Sequence, residues 1–327
     1  MKLTNNHTVF VTGGSGSIGR KILATLQGNS IPVKALARSE KSAEVVRSFG
    51  AEAAMGDLLD FDALRIGMEG ASYLIHAAAD TSHGASSDEQ NRINLDGTTN
   101  VYRAALETGV KRALHISSEA VLLNGKPLIN ADESHPMPTS FPGGYSKSKA
   151  AAENIALDHS RDGLEVVVLR PRFVWGLGDT TALPQLIDAA RTGKLAWIGG
   201  GNYKISTTHL SNVVSGVLLG LEKGRVGEIY FVTDGTPVIF REFITKLLAT
   251  QGVEAPTTQV PRWIVASVAR IGDALSNLTG GKINGPMSWQ EYATLGVEVT
   301  LNIEKARKEL GYTPVMTIEQ GLAELRQ

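Results

Sequence analysis

Short apolar runs alternate with longer stretches of helical periodicity through the first half of the chain. Buried strands of a parallel sheet form continuous apolar runs, whereas apolar residues three and four apart indicate a helix. Strands are predicted at 8–11, 32–37, 71–75, 112–117 and 164–169, and helices at 18–28, 88–108 and 145–159. This alternation predicts an α/β fold with a doubly wound parallel sheet and right-handed crossovers.

The alternation stops after Arg170, where tryptophans and tyrosines fall among glycines and prolines. A helix near 208–221 and a strand at 228–232 are predicted to return to the sheet. The predicted domains are therefore 1–170 with 207–235 returning to it, and a smaller, discontinuous substrate-binding domain at 171–206 and 236–327.

One helix of the second domain, predicted at 261–278, carries an apolar stripe. The stripe consists of Trp263, Ile264, Val265, Val268, Ile271, Leu275 and Leu278. Such a stripe is typical of a helix that packs on the core or lines a pocket. A helix lying on a membrane surface is the alternative, and the shortage of Lys and Arg on the polar face argues against it.

A glycine-rich turn joins the first predicted strand to the first helix. Its sequence is Thr12-Gly13-Gly14-Ser15-Gly16-Ser17-Ile18-Gly19. The missing side chains permit a tight turn and the close approach of a pyrophosphate, and the helix points its first N–H groups at the anion. The alternative is a turn that binds no ligand. We predict a dinucleotide site at Gly13, Ser15, Gly16, Ser17, Ile18 and Gly19.

The residue at the end of the second predicted strand bears on the choice of dinucleotide. A free ribose 2′-hydroxyl is usually bound by an acidic residue about 20 residues past the glycines. This chain has Arg38 there, and Glu40 comes two residues later. A guanidinium suits a 2′-phosphate through charge-assisted bidentate bonds. We therefore expect NADP(H), with NAD as the other candidate; a solvated surface role for Arg38 is the alternative.

Tyr145 and Lys149 lie four residues apart in a predicted helix, which puts them on one face of it. A neighbouring ammonium and an oxidised nicotinamide are expected to lower the pKa of Tyr145 from its free value of about 10 toward working pH. Such a group suits the proton transfer that accompanies hydride transfer. Ser117 and Ser118 stand at the end of the strand predicted at 112–117 and offer a hydroxyl to polarise a carbonyl.

Composition excludes several other functions. The net charge is −1, and no basic run indicates nucleic-acid binding. There is no cysteine, so thiol nucleophiles, disulfides and Cys-ligated metals are excluded, and a reducing cytoplasm is the expected location. The N-terminus does not resemble a signal peptide, and no apolar run is long enough to span a bilayer, so no membrane association is expected. The seven histidines are scattered, and no metal site is predicted.

Taken together, these motifs resemble the extended short-chain dehydrogenase/reductases over nearly the whole chain. Besides the glycine turn, the resemblance is carried by Gly56-Asp57-Leu58-Leu59-Asp60, His76-Ala77-Ala78-Ala79, Asn94-Leu95-Asp96-Gly97-Thr98, Ser117-Ser118-Glu119-Ala120-Val121, Tyr145-Ser146-Lys147-Ser148-Lys149 and Arg170-Pro171-Arg172-Phe173-Val174-Trp175-Gly176. The resemblance implies a Rossmann sheet that binds NAD(P), and a possible homodimer through the helices 88–108 and 145–159.

The resemblance also implies roles for single residues. Tyr145 would be the acid/base, Lys149 its partner, and Ser118 rather than Ser117 the hydroxyl on the carbonyl. Asn94 would support the helix that carries Tyr145. Besides the glycine turn, Arg38, Tyr145 and Lys149, the cofactor would be contacted by Asp57, Leu58, Ala77, Ala78, Ala79 and Pro171.

Within this superfamily of NAD(P)-dependent epimerases and dehydratases, residues 169–176 and 206–214 are similar to the 3β-hydroxysteroid dehydrogenase-like branch. Sugar-nucleotide epimerases usually carry Asn and Tyr-Gly where this chain has Arg172-Phe173 and Leu122-Leu123. The resemblance thus implies an enzyme that interconverts a ketone or aldehyde and a secondary alcohol on a hydrophobic small molecule. A nucleotide-sugar epimerase or dehydratase and a non-catalytic NADP-binding sensor are the alternatives.

The substrate pocket is the least determined part of the prediction. Its candidates follow the last strand of the sheet or begin the returning helix. For one of them, His209, a packed or capping role is the alternative. The candidate pocket residues are Arg172, Val174, Trp175 and His209.

Overall fold

The computed structural model of the protein describes residues 3–81, 88–279 and 283–326. Its strands are β1 Val9–Thr12, β2 Val33–Ala37, β3 Glu52–Met55, β4 Tyr73–His76, β5 Arg112–Ile116, β6 Leu128–Ala131, β7 Glu165–Pro171, β8 Val174–Trp175, β9 Trp197–Ile198, β10 Lys204–Ile205, β11 Thr208–His209, β12 Ile229–Val232, β13 Val238–Ile239, β14 Gln259–Val260 and β15 Val299–Leu301. Its α-helices are α1 Ser17–Gly28, α2 Glu40–Ser48, α3 Phe61–Met68, α4 Asp88–Asn91, α5 Gly97–Glu107, α6 Gly144–His159, α7 Ala182–Arg191, α8 Leu210–Lys223, α9 Phe240–Ala249, α10 Arg262–Leu278, α11 Trp289–Leu295 and α12 Ile318–Glu324. Shorter 3₁₀ turns cover Glu119–Leu122 and Gly199–Gly201, and π-helical turns cover Arg92–Asp96 and Ala306–Leu310.

Seven parallel strands form the central sheet, in the order β3-β2-β1-β4-β5-β7-β12. Helices α1 and α8 cover one face, and their Ile22 and Val213 belong to one apolar core. Helices α3, α5 and α6 cover the other face, where Leu64 and Val101 belong to a second core. The predicted fold class is confirmed. The strand order reverses between β1 and β4, and ligands bind such sheets in the crevice beyond the carboxyl ends at that point.

The predicted strands and helices of the first half occur with their ends shifted by one or two residues. The helix predicted at 88–108 differs, because the π-helical turn Arg92–Asp96 separates α4 from α5. Strand β7 runs to Pro171 rather than stopping before it. Pro171 is the last residue of this strand and lies in register with Val232 of β12.

A second sheet of four strands, in the order β13-β10-β15-β6, lies outside the central one. Strand β6 belongs to the predicted first domain, yet its Leu128 pairs with Val299 of β15. Strand β12 returns to the central sheet beside β7, pairing Val232 with Pro171. The chain therefore passes between the sheets more than once, and the domain boundaries given above stay a prediction. So does a homodimer through α5 and α6, which pack against each other on the central sheet.

Helix α10 contradicts its prediction. Its small residues face the body of the protein, where a Cβ on Gly272 would lie 2.9 Å from the Cα of Gly285. The large apolar residues point outward instead, with Trp263 71% exposed and Leu278 84% exposed. The assignment of the stripe to a core or pocket is therefore wrong for Trp263, Val268, Ile271, Leu275 and Leu278. Within the described residues, no helix is both long enough and apolar enough to cross a bilayer.

Candidate active site

The glycine turn between β1 and α1 leaves no room for side chains at two positions. Gly13 has φ +75°, and a Cβ on it would lie 2.8 Å from the backbone N of Ala78. A Cβ on Gly19 would lie 2.0 Å from the carbonyl oxygen of Gly13. Gly16 is different, because a Cβ there would come no closer than 3.4 Å to the same oxygen. The missing side chain of Gly16 therefore leaves space for a ligand to approach the turn, rather than for a neighbouring part of the chain.

The N-terminus of α1 can receive an anion. Gly16 precedes the helix, no side chain caps its first N–H groups, and the first turn holds no acidic residue. Arg20 Nε donates to the carbonyl oxygen of Ser15, 2.7 Å away, which fixes the turn from the helix side. Ser17 Oγ lies 2.8 Å from Thr180 Oγ1 of the loop after β8. Free N–H groups beside a side-chain-free turn fit a dinucleotide pyrophosphate.

The residues predicted to contact the adenosine half lie at the carboxyl edge of β2 and β3. Arg38 follows β2, is exposed, and makes no ion pair within the described part of the chain. Glu40 is paired with Arg47, two turns further along α2. Asp57 follows β3 and accepts a hydrogen bond of 3.0 Å from the N–H of Leu59. Leu58 is buried beneath Gly97, whose added Cβ would meet it at 2.9 Å.

The segment Ala77 to Ala79 follows β4 and is half-buried. It is fixed by Thr12, whose Oγ1 accepts a hydrogen bond of 3.2 Å from the N–H of Ala78. His76 joins this contact to the opposite helix, because its two ring nitrogens lie 2.7 Å from Thr12 Oγ1 and 3.1 Å from Thr98 Oγ1. Burial, together with the Lys149 charge, lowers the pKa of His76 to about 3, so this histidine is neutral and links the two threonines by hydrogen bonds.

The two serines after β5 face different glutamates. Ser117 is buried, and its Oγ donates to Glu153 Oε2 at 2.6 Å. Ser118 is half-buried, and its Oγ donates to Glu119 Oε2 at 2.8 Å. Ser118 is also hydrogen-bonded to Tyr145. Of the two, Ser118 is therefore the one beside the predicted acid/base.

Tyr145 and Lys149 lie one turn apart on α6, and the pKa of each is shifted by burial and by a nearby carboxylate. Burial and the Glu119 carboxylate together raise the pKa of Tyr145 to about 12, against the opposing effect of the bond with Ser118. Burial lowers the pKa of Lys149 to about 8, against the Glu153 carboxylate. Lys149 Nζ donates to the carbonyl oxygen of Ile116 at 2.8 Å. The expected lowering of the Tyr145 pKa is therefore reversed in the protein alone.

The π-helical turn carries Asn94 into contact with α6. Its Nδ2 donates to Ser148 Oγ and to the carbonyl oxygen of Asp80, both at 3.0 Å. Its Oδ1 accepts from the N–H of Asp80 at 2.7 Å. Asn94 thus joins the loop after β4 to the helix of Tyr145, as the resemblance implied.

Two buried ion pairs follow β7. Arg170 donates to both carboxylate oxygens of Glu153, and the side chains are 2% and 0% exposed. Arg172 Nη1 donates to Glu119 Oε1 at 2.6 Å, with 1% and 5% exposure. The guanidinium of Arg172 also donates to the carbonyl oxygens of Val299 and Thr294. Arg172 therefore supports the site from behind instead of presenting a free charge to a pocket.

Two of the other predicted pocket residues, Trp175 and His209, are buried. Trp175 is fully buried and donates from Nε1 to Asp234 Oδ2 at 2.8 Å. His209 is 1% exposed, and its Nδ1 accepts from the N–H of Ser211 at the start of α8, which is the capping alternative. Val174 is half-buried beside them, and Pro171 ends β7 buried against Val232.

Three buried residues of this region were given no role from the sequence. They are Glu119, Glu153 and Gln290. Gln290 lies on α11, and its Oε1 accepts from the N–H of Ser146 at 3.1 Å, in the first turn of α6. Because Gly143 provides no side-chain cap for α6, this contact from a distant helix replaces one. The sequence did offer one signal for such a residue: Glu153 is a charged residue in an alanine-rich helix, where a buried charge needs a partner.

A sequence profile of the 3-beta hydroxysteroid dehydrogenase/isomerase family matches residues 10–262. The chain belongs to this family. One relative is the 4-hydroxy-2-methyl-3-oxo-4-farnesyl-3,4-dihydroquinoline-1-oxide ketoreductase of Stigmatella aurantiaca, 46% identical over 318 residues, which are 97% of this chain and 95% of the relative. Another is the decarboxylating sterol-4-alpha-carboxylate 3-dehydrogenase of Dictyostelium discoideum, 33% identical over 97% of this chain and 99% of the relative.

The fold is shared with solved structures of the wider superfamily. The dTDP-glucose 4,6-dehydratase of Streptomyces venezuelae, solved with NAD bound, has a TM-score of 0.76 and 24% identity and covers 98% of this chain and 95% of its own. This likeness shows the fold alone. Membership in the 3-beta hydroxysteroid dehydrogenase/isomerase family makes the protein an NAD(P)-dependent oxidoreductase that interconverts a ketone and an alcohol. The predicted reaction class is confirmed.

Proposed function

We propose that this protein is an NADP(H)-dependent reductase of a bulky, hydrophobic ketone, with Ser118, Tyr145 and Lys149 as its catalytic residues. The observation that carries the proposal is the bond between Ser118 and Tyr145 beyond the carboxyl end of β5, with Lys149 one helical turn away. The glycine turn lies at the same edge of the sheet. A proton donor and an anion site at one sheet edge suit a hydride-transfer enzyme.

The proton path follows from these side chains. When bound, the reduced nicotinamide supplies a hydride for the carbonyl carbon. Tyr145 gives its phenolic proton to the carbonyl oxygen, so that a C–H and an O–H bond form and the C=O double bond becomes a single bond. Ser118 donates a hydrogen bond to that oxygen while negative charge develops on it. The Lys149 ammonium favours the phenolate that is left behind.

Preference for NADP(H) rests on Arg38. Its exposed guanidinium has no ion-pair partner among the described residues, and the nearest acid along the chain, Glu40, is already paired with Arg47. A free guanidinium at the end of β2 attracts a 2′-phosphate. Arg38→Asp should lower NADPH affinity about 10- to 100-fold, since one charge-assisted bond is lost, and leave NADH affinity unchanged or improved. Equal losses for both cofactors would refute the preference.

The class of substrate is supported by the relatives. The name of the Stigmatella relative describes a farnesylated cyclic ketone, and that of the Dictyostelium relative describes a sterol. Both are large, largely apolar and oxidised or reduced at a ring carbon. The sugar-nucleotide dehydratases share only the fold with this chain, so a hydrophobic cyclic ketone is the better-supported substrate.

The test is NADPH oxidation with a panel of prenylated quinolone ketones, steroid ketones and short aliphatic ketones. We expect turnover of the cyclic ketones and none of UDP- or dTDP-sugars. Tyr145→Phe should retain NADPH binding and lose turnover by about 10²- to 10⁴-fold, because it removes only the proton donor. Conversion of a nucleotide sugar without net cofactor turnover, or near-normal activity of Tyr145→Phe, would contradict the proposal.

A further inference from the structure

The Glu119 carboxylate is clamped between a serine and an arginine. Its Oε2 accepts from Ser118 Oγ at 2.8 Å and its Oε1 from Arg172 Nη1 at 2.6 Å. Arg172 is in turn held by the carbonyl oxygens of Val299 at 3.1 Å and Thr294 at 3.2 Å. With 5% and 1% of the two side chains exposed, neither is free to swing into solvent. The negative charge is therefore fixed beside Ser118.

This arrangement determines which way the Ser118 hydroxyl points. A hydroxyl has one proton to donate and two lone pairs that accept. Ser118 donates its proton to Glu119 and accepts from the N–H of Ala120 at 3.2 Å. Tyr145 is bonded to the same hydroxyl. Glu119 thus competes for the Ser118 proton both with a substrate oxygen and with the phenol oxygen of Tyr145.

The same carboxylate is the negative charge that acts on Tyr145. Glu119 lies on the 3₁₀ turn after β5, which packs against α6, and its charge acts on Tyr145; Lys149 lies one turn further along α6 itself. Helix α11 brings the neutral Gln290 to the first turn of α6. Arg172 lies behind Glu119. A carboxylate close to a phenol disfavours the phenolate, and Glu119 has this effect on Tyr145.

We propose that Glu119, held by Arg172, is a positioning residue that orients the Ser118 hydroxyl and keeps the Tyr145 phenol in its protonated form, the form that can give a proton to the ketone oxygen. The inference rests on the proposed function, because only a proton-donating Tyr145 gains from such a charge. It also goes beyond that function, because it assigns Glu119 the task of setting the pH range in which the site donates its proton.

The test is the pH dependence of kcat for ketone reduction in Glu119→Gln, with a cyclic ketone that the panel identifies. Loss of the carboxylate makes the phenol easier to ionise, so the alkaline limb should move to lower pH by about one pH unit. The matched control is Glu165→Gln. It removes an equally short ion pair, with Arg112 at 2.6 Å, from the amino ends of β5 and β7, and it should leave the limb in place. An alkaline limb of Glu119→Gln that coincides with that of the wild type overturns the inference.

Phenolate absorption supplies a second readout that needs no substrate. The ultraviolet difference between the protein and its Tyr145→Phe variant follows the ionisation of Tyr145 alone, and it should shift to lower pH in the Glu119→Gln background. If Glu119→Gln does not fold, Glu119→Gln/Arg172→Gln removes both charges together and leaves no unpaired ion, and the same downward shift is expected. An unshifted titration contradicts the inference in either variant.

The two proposals fail in different ways. Near-normal reduction by Tyr145→Phe would refute the proposed function. Inactive Tyr145→Phe together with an unmoved pH limb in Glu119→Gln would refute only the role of Glu119. A loss of kcat without a pH shift would mean that Glu119 is merely structural.

Discussion

Two serine–glutamate–arginine sets lie side by side behind Tyr145 and Lys149, and they face different halves of that pair. The inner set is Ser117, Glu153 and Arg170; the outer set is Ser118, Glu119 and Arg172. In each, consecutive serines donate to a glutamate that an arginine holds. The inner glutamate raises the pKa of Lys149, whereas the outer one raises the pKa of Tyr145.

Exposure separates the roles of the two sets. Ser117 is buried and its hydroxyl donates to Glu153, whereas Ser118 is half-buried and bonded to the phenol. The same three residue types thus form a structural connection in one place and lie beside the proposed acid/base in the other. Burial of the serine, rather than the identity of its partners, decides which.

The largest expected effect comes from breaking the inner set. Glu153→Ala leaves the Arg170 guanidinium buried without its partner and should lower the free energy of unfolding by about 3–5 kcal/mol. Glu165→Ala removes a half-exposed carboxylate from another arginine and should cost about 0–1 kcal/mol. Urea denaturation measures both. Equal losses would show that the inner pair contributes no more than a surface pair.

Replacing each serine sharpens the comparison. Ser118→Ala removes the proposed donor to the substrate oxygen and should lower kcat by about 10²-fold, with a stability loss of about 1 kcal/mol because Glu119 loses a hydrogen bond. Ser117→Ala should leave kcat near the wild-type value and cost about 1–2 kcal/mol of stability, because Glu153 loses a buried hydrogen bond. Steady-state kinetics and denaturation of both variants separate the two cases. A drop in kcat for Ser117→Ala but not for Ser118→Ala would show that Ser117, rather than Ser118, is the catalytic serine.

The smallest effect concerns Lys149 and the pH dependence of stability. Because burial lowers the pKa of Lys149 to about 8, the folded state binds fewer protons than the unfolded state above that pH. The free energy of unfolding should therefore rise by about 1–2 kcal/mol as pH increases through 8 toward 9.5. Glu153→Gln should move this rise to lower pH, and Lys149→Met should lack it. Denaturation curves at several pH values would show a flat profile if Lys149 kept its usual pKa.

Local patterns were enough to predict much of the sheet and the site. The glycine turn and the Tyr145–Lys149 pair are contiguous or one helical turn apart, so their spacing carries the geometry. The glutamates could not be assigned in this way, because Glu153 reaches Arg170 and Glu119 reaches Arg172 across 17 and 53 residues of chain. Gln290 reaches Ser146 across 144 residues.

Two further differences have a common physical origin. In α10, the periodicity indicates an apolar stripe. The face of small residues around Gly272 nevertheless packs against the body of the protein, because it can approach Gly285 more closely. At Phe173, φ is +39°, a left-handed conformation that asparagine adopts far more readily than phenylalanine. The sugar-nucleotide enzymes usually carry asparagine after this strand. In both places the backbone geometry, which the hydrophobic pattern does not encode, decides the outcome.

The π-helical turn at Arg92–Asp96 behaves as a one-residue insertion in an otherwise regular helix. An α-helical turn needs one residue fewer, so deleting a single residue there would restore regular winding and rotate everything before it by about 100°. Asn94 would then no longer face Ser148 and Asp80 together, while α5 kept its packing on the sheet. The position of Asn94 in the candidate site therefore depends on the number of residues in the π-helical turn as much as on their identities.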